Sequence, residues 1–333
     1  MVVPLEAGLA TDFRPSFPWW GGDLQTLCTR LLPFPVKLDG WPAEPLLFPL
    51  DDGSGDRLLG SLHRNAAAAK KPLVILIHGM TGCEDSRYIR ASARYFLGRG
   101  HPVLRLNLRA AGPSRPLSKR HYNAGSSADV MTVLETLGRR EAALLAGGCF
   151  AMGYSLGGNI LLNCLAETAG ASSLRAAVAV SVPLDLKATQ VRMMMPRNRV
   201  YQHYLLRGLC TSNLAGPAVT PAQRETISRR VHSLYDYDDL VVAPANGFEG
   251  AENYYASCSS GRRLGEIKTE TLVIHAADDP WIPFAAYQAI DWPALPSQLR
   301  LSLTKTGGHV GFHEAGEAIP WHDRASAAFF DAR

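Results

Sequence analysis

The chain has 333 residues, of which 47% are hydrophobic and 19% are charged, a balance that excludes a disordered chain and a mostly membrane-embedded one. Its 34 basic and 30 acidic residues give a formal net charge of +4, and because they are spread along the chain rather than gathered in a basic stripe, nucleic acid is not an expected partner. These numbers leave a folded enzyme or binding protein.

The first elements along the chain are two short strands at 45–50 and 57–63, which the turn residues 51–55 join into an antiparallel hairpin. An Ala-rich surface loop at 65–71 follows. Apolar runs of strand length then alternate with helical patterns such as 86–97, and these runs lie at 73–77, 103–106, 149–152, 177–180, 272–274 and 299–303. Near-continuous apolar strands are typical of a parallel sheet covered on both faces, so the sequence predicts an α/β fold with a mostly parallel central sheet flanked by helices.

The alternation stops at 186–267, a stretch with helical patterns and no convincing strand. Structureless connections of that length are uncommon in compact domains. We therefore interpret 186–267 as a helical lid inserted between two parts of one core, 1–185 and 268–333. Within it, residues 192–197 and 201–206 mix basic, methionine and aromatic side chains, which either line an acyl pocket, touch lipid, or pack as ordinary helix faces.

The strongest chemical signal is the segment Gly153-Tyr154-Ser155-Leu156-Gly157. It follows the apolar run at 149–152 and precedes a helical start at 158–162, which is the strand-turn-helix context of a nucleophile elbow. Glycines two residues before and after the serine suit a sharp turn with little room for side chains. A serine hydroxyl is a weak nucleophile, so Ser155 requires a base, a group that orients the base, and donors for an oxyanion.

Candidates for the acid and the base follow two later strands. The strand at 271–275 leads to Asp278 and Asp279, and the spacing Asp-Pro-x-Ile-Pro favours Asp279 as the orienting acid, with Asp278 expected to cap the turn. Asp185, after the strand at 176–182, is a third candidate. The strand at 298–303 leads to His309, the predicted general base, with His313 as the fallback and a local loop partner otherwise.

Donors for the oxyanion are expected beside the strand at 73–77. The segment His78-Gly79-Met80 follows this strand, and the backbone N–H groups of Met80 and Leu156 are the predicted oxyanion hole. His78 itself is expected to be a hydrogen-bonding strut for that loop. This chemistry requires no metal and no organic cofactor, and the expected partner is a small-molecule ester.

Several further segments carry a family resemblance, namely 22–27 (Gly-Asp-Leu-Gln-Thr-Leu), 107–112, Tyr122 with Gly125 and Asp129, 235–239 and 246–255. With the Ser155, Asp279 and His309 motifs, they resemble the YheT-like hydrolases of the α/β-hydrolase fold, which group with animal abhydrolase-domain proteins and yeast medium-chain ester synthases and esterases. The chain has Asp23 where the family usually has histidine, and Ala110 where many members have glycine.

The resemblance implies carboxylic-ester hydrolysis, of short- to medium-chain acyl esters or of lipid esters, through a Ser-His-Asp triad and an acyl-enzyme. Some members transfer acyl groups to alcohols instead, so an acyltransferase is the alternative within enzymology. A non-catalytic binding module on a hydrolase fold is the alternative from another class, which the presence of all three triad residues disfavours.

The expected location follows from the cysteines and the apolar runs. The six cysteines lack Cys-x-x-Cys spacing, which favours free thiols in a reducing compartment. The start of the chain lacks the basic and apolar regions of a secretory signal, and no run approaches the roughly 18 apolar residues of a transmembrane helix. We expect a cytoplasmic protein, and peripheral membrane contact through the lid stays open.

Overall fold

The structure is a computed structural model that describes residues 13–31, 37–65, 71–170 and 173–333. The start of the chain and most of the Ala-rich loop lie outside these residues. The strands are β1 Ala43–Pro49, β2 Arg57–His63, β3 Leu73–Ile77, β4 Val103–Leu106, β5 Cys149–Tyr154, β6 Leu174–Val180, β7 Glu270–Ala276 and β8 Leu299–Thr304. Each predicted strand is present, with ends that differ from the prediction by a few residues.

The helices flank the sheet in sequence order. They are α1 Gly22–Leu31, α2 Arg87–Gly98, α3 Ser127–Arg140, α4 Leu156–Thr168, α5 Leu186–Met194, α6 Arg199–Leu214, α7 Pro221–Arg229, α8 Leu234–Tyr237, α9 Ala243–Ala245, α10 Ala251–Cys258, α11 Phe284–Gln288 and α12 Trp321–Asp331. A π-helical turn, Asp238–Val242, directly follows α8.

The strands form an eight-stranded sheet in the order β1-β2-β4-β3-β5-β6-β7-β8. The predicted hairpin is confirmed, since β1 and β2 pair antiparallel, and β2 pairs antiparallel with β4 as well. All later neighbours pair in parallel. The carboxyl ends of β3, β5, β7 and β8 therefore meet at one edge of the sheet, where an open α/β sheet places its site.

The alternation of side chains along β3 explains why both faces of the sheet are covered. Leu73, Ile75 and Ile77 belong to one buried apolar cluster, which includes side chains of α3 and α4. Val74 and Leu76 belong to a second cluster, which includes side chains of α2 and α12. Successive residues of a strand point to opposite faces, so helices cover the sheet on both sides, as the sequence predicts.

A buried ion-pair cluster ties the hairpin to α3. Arg109, in the loop after β4, donates through Nε to Asp129 Oδ2 at 3.0 Å and through a terminal nitrogen to Asp52 Oδ2 at 2.8 Å and Asp56 Oδ2 at 3.2 Å. Ala110, the next residue, has a φ of +61°, a backbone conformation that favours glycine. The loop thus keeps this conformation although alanine stands where many YheT-like relatives have glycine.

Residues 186–267, all of which the structure describes, hold α5 to α10 and no strand. The helices form a small apolar cluster of their own, composed of Met193, Leu205, Leu209, Val231, Leu234 and Tyr237. Two hydrogen bonds of α10 anchor the segment to the core. Tyr254 OH accepts from Ala124 N at 2.9 Å, and Asn159 Nδ2 in α4 donates to Cys258 O at 2.9 Å.

Candidate active site

Ser155 lies at a sharp turn between β5 and α4. Its φ of 51° and ψ of −122° are strained for a residue with a side chain, and its N–H donates to Val180 O at 2.8 Å. At Gly157 a β-carbon would lie 2.3 Å from His78 O. Only glycine fits there, which confirms that the turn has no room for a side chain at this position.

Asp279 and His309 contact each other at the same edge of the sheet. His309 Nδ1 lies 2.8 Å from Asp279 Oδ2. The other oxygen, Asp279 Oδ1, accepts from the backbone N–H groups of Trp281 at 2.8 Å and Ile282 at 3.0 Å. Burial acts to raise the pKa of Asp279, but the positive charge on protonated His309 and the hydrogen bonds outweigh it and hold this pKa below its ordinary value.

The structure assigns different contacts to the other acids and to the fallback histidine. Asp278 was expected to cap the turn, but Asp279 does so. Asp278 Oδ1 instead accepts from Gly308 N at 2.9 Å, because the loop after β8 lies directly against the turn after β7. Asp185 caps α5 by accepting from Ala188 N at 2.9 Å. His313 is held by α1, as its Nε2 lies 3.0 Å from Thr29 Oγ1.

The second ring nitrogen of His309 faces the space beside Ser155. In the part of the chain that the structure describes, His309 Nε2 is buried and has no hydrogen-bond partner. Ser155 and His309 line one cleft. The Trp281 ring stacks on the His309 ring, with centroids 4.2 Å apart and planes 29° apart. The imidazole is thus fixed by Asp279 on one edge and by Trp281 on one face.

Helix α1 holds the loop that carries His309, residues 305–313, which we call the His309 loop. Thr26 Oγ1 accepts from His309 N at 2.8 Å and donates to Gly22 O at 2.7 Å. Gln25 accepts from His313 N at 2.7 Å and donates to His313 O at 3.0 Å. Sequence reasoning missed this role, and the only signal for it was the Gln-Thr pair of the family-like segment 22–27.

The loop after β3 lies against Ser155. A β-carbon at Gly79 would lie 3.0 Å from Ser155 Cβ, so the backbone passes beside the nucleophile candidate. Gly79 N donates to Tyr88 OH at 2.9 Å and Thr81 N to Tyr122 OH at 2.8 Å. These two bonds fix the loop on either side of Met80.

Met80 N and Leu156 N are both available as donors. Within the described residues neither N–H donates to a protein acceptor. Leu156 N is the first N–H of α4, so it has no acceptor within the helix, and the N-terminus of the helix favours negative charge. The predicted pair of oxyanion donors is therefore free to bind an anion.

His78 has the predicted role of a strut. Its Nδ1 lies 2.8 Å from Gly79 O, and its Nε2 accepts from Leu108 N at 3.1 Å. Burial lowers the pKa of His78 to about 4, so the imidazole is neutral at physiological pH and carries its proton on Nδ1. Both nitrogens are occupied by backbone groups, which leaves none for catalysis.

Two connected cavities meet at Ser155. The outer cleft has a volume of about 630 Å³ and is open to solvent. The inner pocket has a volume of about 80 Å³, and Met80, Ser155, Leu205 and Trp281 line both. The remaining walls of the inner pocket are mostly apolar and come from Leu156, Pro183, Leu186, Thr189, Gln190, Met193, Leu234, Asp238, Tyr254, Tyr255 and Ile282.

The methionine- and tyrosine-rich segments of 186–267 take part in these cavities. Met193 lines the inner pocket, and Tyr201 and Tyr204 line the outer cleft. Met194 and Met195 are exposed instead. The pocket-lining interpretation is thus correct for some of these side chains.

Two searches of the described residues gave no candidates. No group of three or more His, Cys, Asp or Glu side chains there could hold a metal ion. No helix in the same part of the chain is long and apolar enough to cross a membrane.

Known proteins resemble the chain in sequence and in structure. A family model described as the alpha/beta hydrolase fold matches residues 72–316. The proposed esterase YheT of Escherichia coli (strain K12) is 32% identical over 92% of this chain and 88% of its own length. A monoacylglycerol lipase of Saccharomyces cerevisiae is 28% identical over 76% of this chain, which spans 57% of that lipase.

Among solved structures, the Pyrococcus furiosus esterase Pf2001 matches 88% of this chain and 93% of its own, with a TM-score of 0.59 at 16% identity. This likeness shows the fold, and the sequence relatives support an ester-hydrolysing enzyme. The match of the family model over most of the chain and the identity to YheT together show that the chain belongs to the α/β-hydrolase family, in its YheT-like group.

Proposed function

We propose that the chain is a serine-dependent carboxylic-ester hydrolase with Ser155 as nucleophile, His309 as general base and Asp279 as the acid that orients the base. One observation carries the proposal. The Asp279–His309 hydrogen bond of 2.8 Å fixes an imidazole whose Nε2 has no partner among the described residues and which lines the same cleft as Ser155. That arrangement is what a serine nucleophile requires.

In the proposed first half-reaction, His309 Nε2 takes the proton of Ser155 Oγ as Oγ attacks the ester carbonyl carbon. The carbonyl oxygen becomes an oxyanion, which accepts hydrogen bonds from Met80 N and Leu156 N. When the tetrahedral intermediate collapses, the bond to the alcohol oxygen breaks, and the alcohol leaves with the proton from His309. The acyl group remains on Ser155 Oγ.

In the second half-reaction, water replaces the alcohol. His309 Nε2 takes a proton from water as its oxygen attacks the acyl-enzyme, and returns that proton to Ser155 Oγ when the carboxylic acid leaves. Asp279 keeps the Nδ1 proton in place, so that Nε2 is the unprotonated nitrogen at the start of each step. The stacked Trp281 ring limits rotation of the imidazole.

The size of the two cavities supports short- to medium-chain esters. The inner pocket, about 80 Å³ in volume, accommodates a small group on one side of the scissile bond. The outer cleft, about 630 Å³, accommodates a much larger group on the other side. We propose that esters with one short side and one unrestricted side, including lipid esters, are the substrates.

We further propose that 186–267 acts as a lid over a core formed by 1–185 and 268–333. Helices α5, α6, α8 and α10 supply much of the wall of the inner pocket. At the rim of the outer cleft, Val200 and Tyr204 of α6 are 80% and 43% exposed. Exposed apolar side chains beside a substrate entrance favour peripheral contact of the lid with a lipid surface.

Transfer of the acyl group to an alcohol is the second candidate, and the open outer cleft favours it. An acyl-enzyme reacts with whichever nucleophile reaches it, and a cleft of this size admits a small alcohol as readily as water. Product analysis in dilute ethanol separates the two activities. Ethyl ester that forms faster than free acid would make the chain an acyltransferase.

Replacement of Ser155 by alanine tests the proposal. We expect Ser155→Ala to lower kcat on p-nitrophenyl butyrate by roughly 10⁴-fold or more and to abolish labelling by a fluorophosphonate probe. Ser297→Ala, the same change at an exposed serine, is the control and should behave as the wild type. Full activity of Ser155→Ala, or labelling at another residue, would overturn the assignment, and an unreactive wild type would indicate a binding module.

A further inference from the structure

Asp238 is an acidic side chain in the wall of the inner pocket. Among the described residues that line this pocket, it is the only Asp, Glu, His, Lys or Arg. It begins the π-helical turn Asp238–Val242 that follows α8. Such turns re-aim side chains and occur frequently at functional sites. Ser155 and Leu156 line the same pocket, so this carboxyl group shares a small cavity with the proposed nucleophile.

The neighbouring acids have other roles. Asp236 Oδ2 accepts from His232 N at 2.9 Å, and Asp239 Oδ1 accepts from Ala251 N at 2.9 Å. Each of these carboxylates therefore serves the backbone of the helical segment. Neither lines the inner pocket. The three acids of 235–239 thus divide into two that stabilise the local fold and one, Asp238, that faces the cavity.

One oxygen of Asp238 is left for a ligand. Tyr255 OH donates to Asp238 Oδ2 at 2.7 Å. In the part of the chain that the structure describes, Asp238 Oδ1 accepts no hydrogen bond. A carboxylate has about four lone-pair sites and donates nothing when ionised, so Oδ1 requires a donor that the pocket itself does not supply.

The surroundings make this open oxygen unfavourable without a ligand. Burial among apolar side chains raises the pKa of Asp238 from 3.8 to about 7, so the carboxyl group is poorly solvated in its charged form. Buried polar groups in folded proteins are almost always paired. A carboxyl group with one free oxygen, inside a pocket that opens to a proposed nucleophile, fits a substrate that brings a donor.

We propose that Asp238 is a specificity-determining residue that accepts a hydrogen bond from a hydroxyl group of the substrate. This inference rests on the proposed ester hydrolysis and adds the substrate class, namely esters with a hydroxyl group on the part that enters the inner pocket. A hydroxyl group matches one free acceptor, whereas an ammonium group brings three donors. The hydroxyl has two possible sources, a hydroxyacyl chain or a polyol such as glycerol.

Two matched substrate pairs distinguish these sources. The p-nitrophenyl esters of 3-hydroxybutyrate and butyrate differ only in a hydroxyl on the acyl chain. Glycerol monobutyrate and propyl butyrate differ only in hydroxyls on the alcohol. For the wild type we expect kcat/KM to favour the hydroxylated member of one pair by about tenfold or more, as a hydrogen bond to a charged group provides. The favoured pair identifies the source.

Variants at Asp238 assign the preference to this side chain. We expect Asp238→Leu to bring the ratio within the favoured pair to about one. Asp238→Asn, which has the same shape and keeps a weaker acceptor, should lower the ratio by about threefold or more, and it decides the matter if Asp238→Leu does not fold. Asp236→Asn is the matched control, and it should keep the wild-type ratio because Asp236 does not line the pocket.

The outcomes separate this inference from the proposed function. Hydrolysis of the plain butyrates with both ratios near one, or a ratio that Asp238→Leu leaves unchanged, would overturn the role of Asp238 and leave the hydrolase intact. Preference for p-nitrophenyl 3-aminobutyrate over the hydroxybutyrate would overturn the hydroxyl class. If the wild type neither hydrolyses any of the four esters nor reacts with the fluorophosphonate probe, the proposed function itself is wrong.

Discussion

Replacement of Asp238 by asparagine should stabilise the protein by an amount that grows with pH. Burial raises the pKa of Asp238 from 3.8 to about 7, so the folded protein binds this proton more tightly than the unfolded chain. Between these two values the unfolded chain has lost the proton and the folded protein has kept it. The free energy of unfolding of the wild type therefore falls as the pH rises from about 4 to about 7.

The magnitude follows from the size of the pKa difference. A rise of about three units corresponds to at most about 4 kcal/mol, absent below pH 4 and fully present above pH 7. Asparagine has no proton to lose and still accepts from Tyr255 OH. The free energy of unfolding of Asp238→Asn relative to the wild type should therefore increase by up to about 4 kcal/mol from pH 4 to pH 8.

Tyrosines around Asp238 do not add to this pH dependence. Burial raises the pKa of Tyr237, Tyr254 and Tyr255 above 10, so all three stay neutral between pH 4 and pH 8. Tyr255 OH favours the charged form of Asp238. Tyr255→Phe should therefore move the pH dependence of the wild-type stability to higher pH.

Urea unfolding at one-unit intervals from pH 4 to pH 8 measures the effect. Both proteins share all other titrating groups, so the difference between their free energies of unfolding isolates Asp238. A difference that stays constant between pH 5 and pH 8 would refute the reasoning. It would mean that Asp238 loses its proton in the folded protein at the same pH as in the unfolded chain.

Two further predictions concern the packing around Ser155 and the His309 loop. Gly157→Ala should lower the free energy of unfolding by about 3 kcal/mol or more, because its β-carbon would lie 2.3 Å from His78 O. Gly138→Ala, in α3 with no atom within 4 Å of the added carbon, should instead raise it by about 0.5–1 kcal/mol. Thr26→Val should lower kcat on p-nitrophenyl butyrate about tenfold with KM nearly unchanged, since His309 N loses its acceptor and the base is held less firmly.

Thermal unfolding of the two glycine variants and steady-state kinetics of the threonine variant check these expectations. Equal stability of Gly157→Ala and the wild type would contradict the close approach of α4 to the loop after β3. The control for Thr26→Val is Thr132→Val, whose hydroxyl only donates to the preceding turn of α3 at Ala128 O. A value of kcat for Thr26→Val within twofold of the control would mean that this hydrogen bond does not position His309.

Much of the fold could be predicted because its strands are nearly uninterrupted apolar runs. The runs at 73–77 and 103–106 are identical with β3 and β4, since a strand buried on both faces leaves no polar positions to blur its limits. The candidate site could be predicted for a related reason. Ser155, Asp279 and His309 each follow their own strand, and parallel strands bring their carboxyl ends to one edge.

Contacts between distant segments could not be predicted from local patterns. Asp278 binds Gly308 rather than its own turn, because tertiary packing offered a closer N–H than the local one. Adjacent acids on a turn give no sign of which one faces a partner far along the chain. The cavity-facing position of Asp238 depends on a π-helical turn, which has no sequence signature at this level of reasoning.

The hold of α1 on the His309 loop sets an order of events for the growing chain. Gln25 and His313 are 288 positions apart, so their bonds form only after the ribosome has added nearly all of the intervening residues. The turn at Ser155 draws on β5, β6 and α4, which are synthesised much earlier and fold from nearer partners. The proposed nucleophile is therefore in place long before its base is fixed. Reactivity is the last property that the folding chain acquires, so a nascent chain cannot attack esters in the cell.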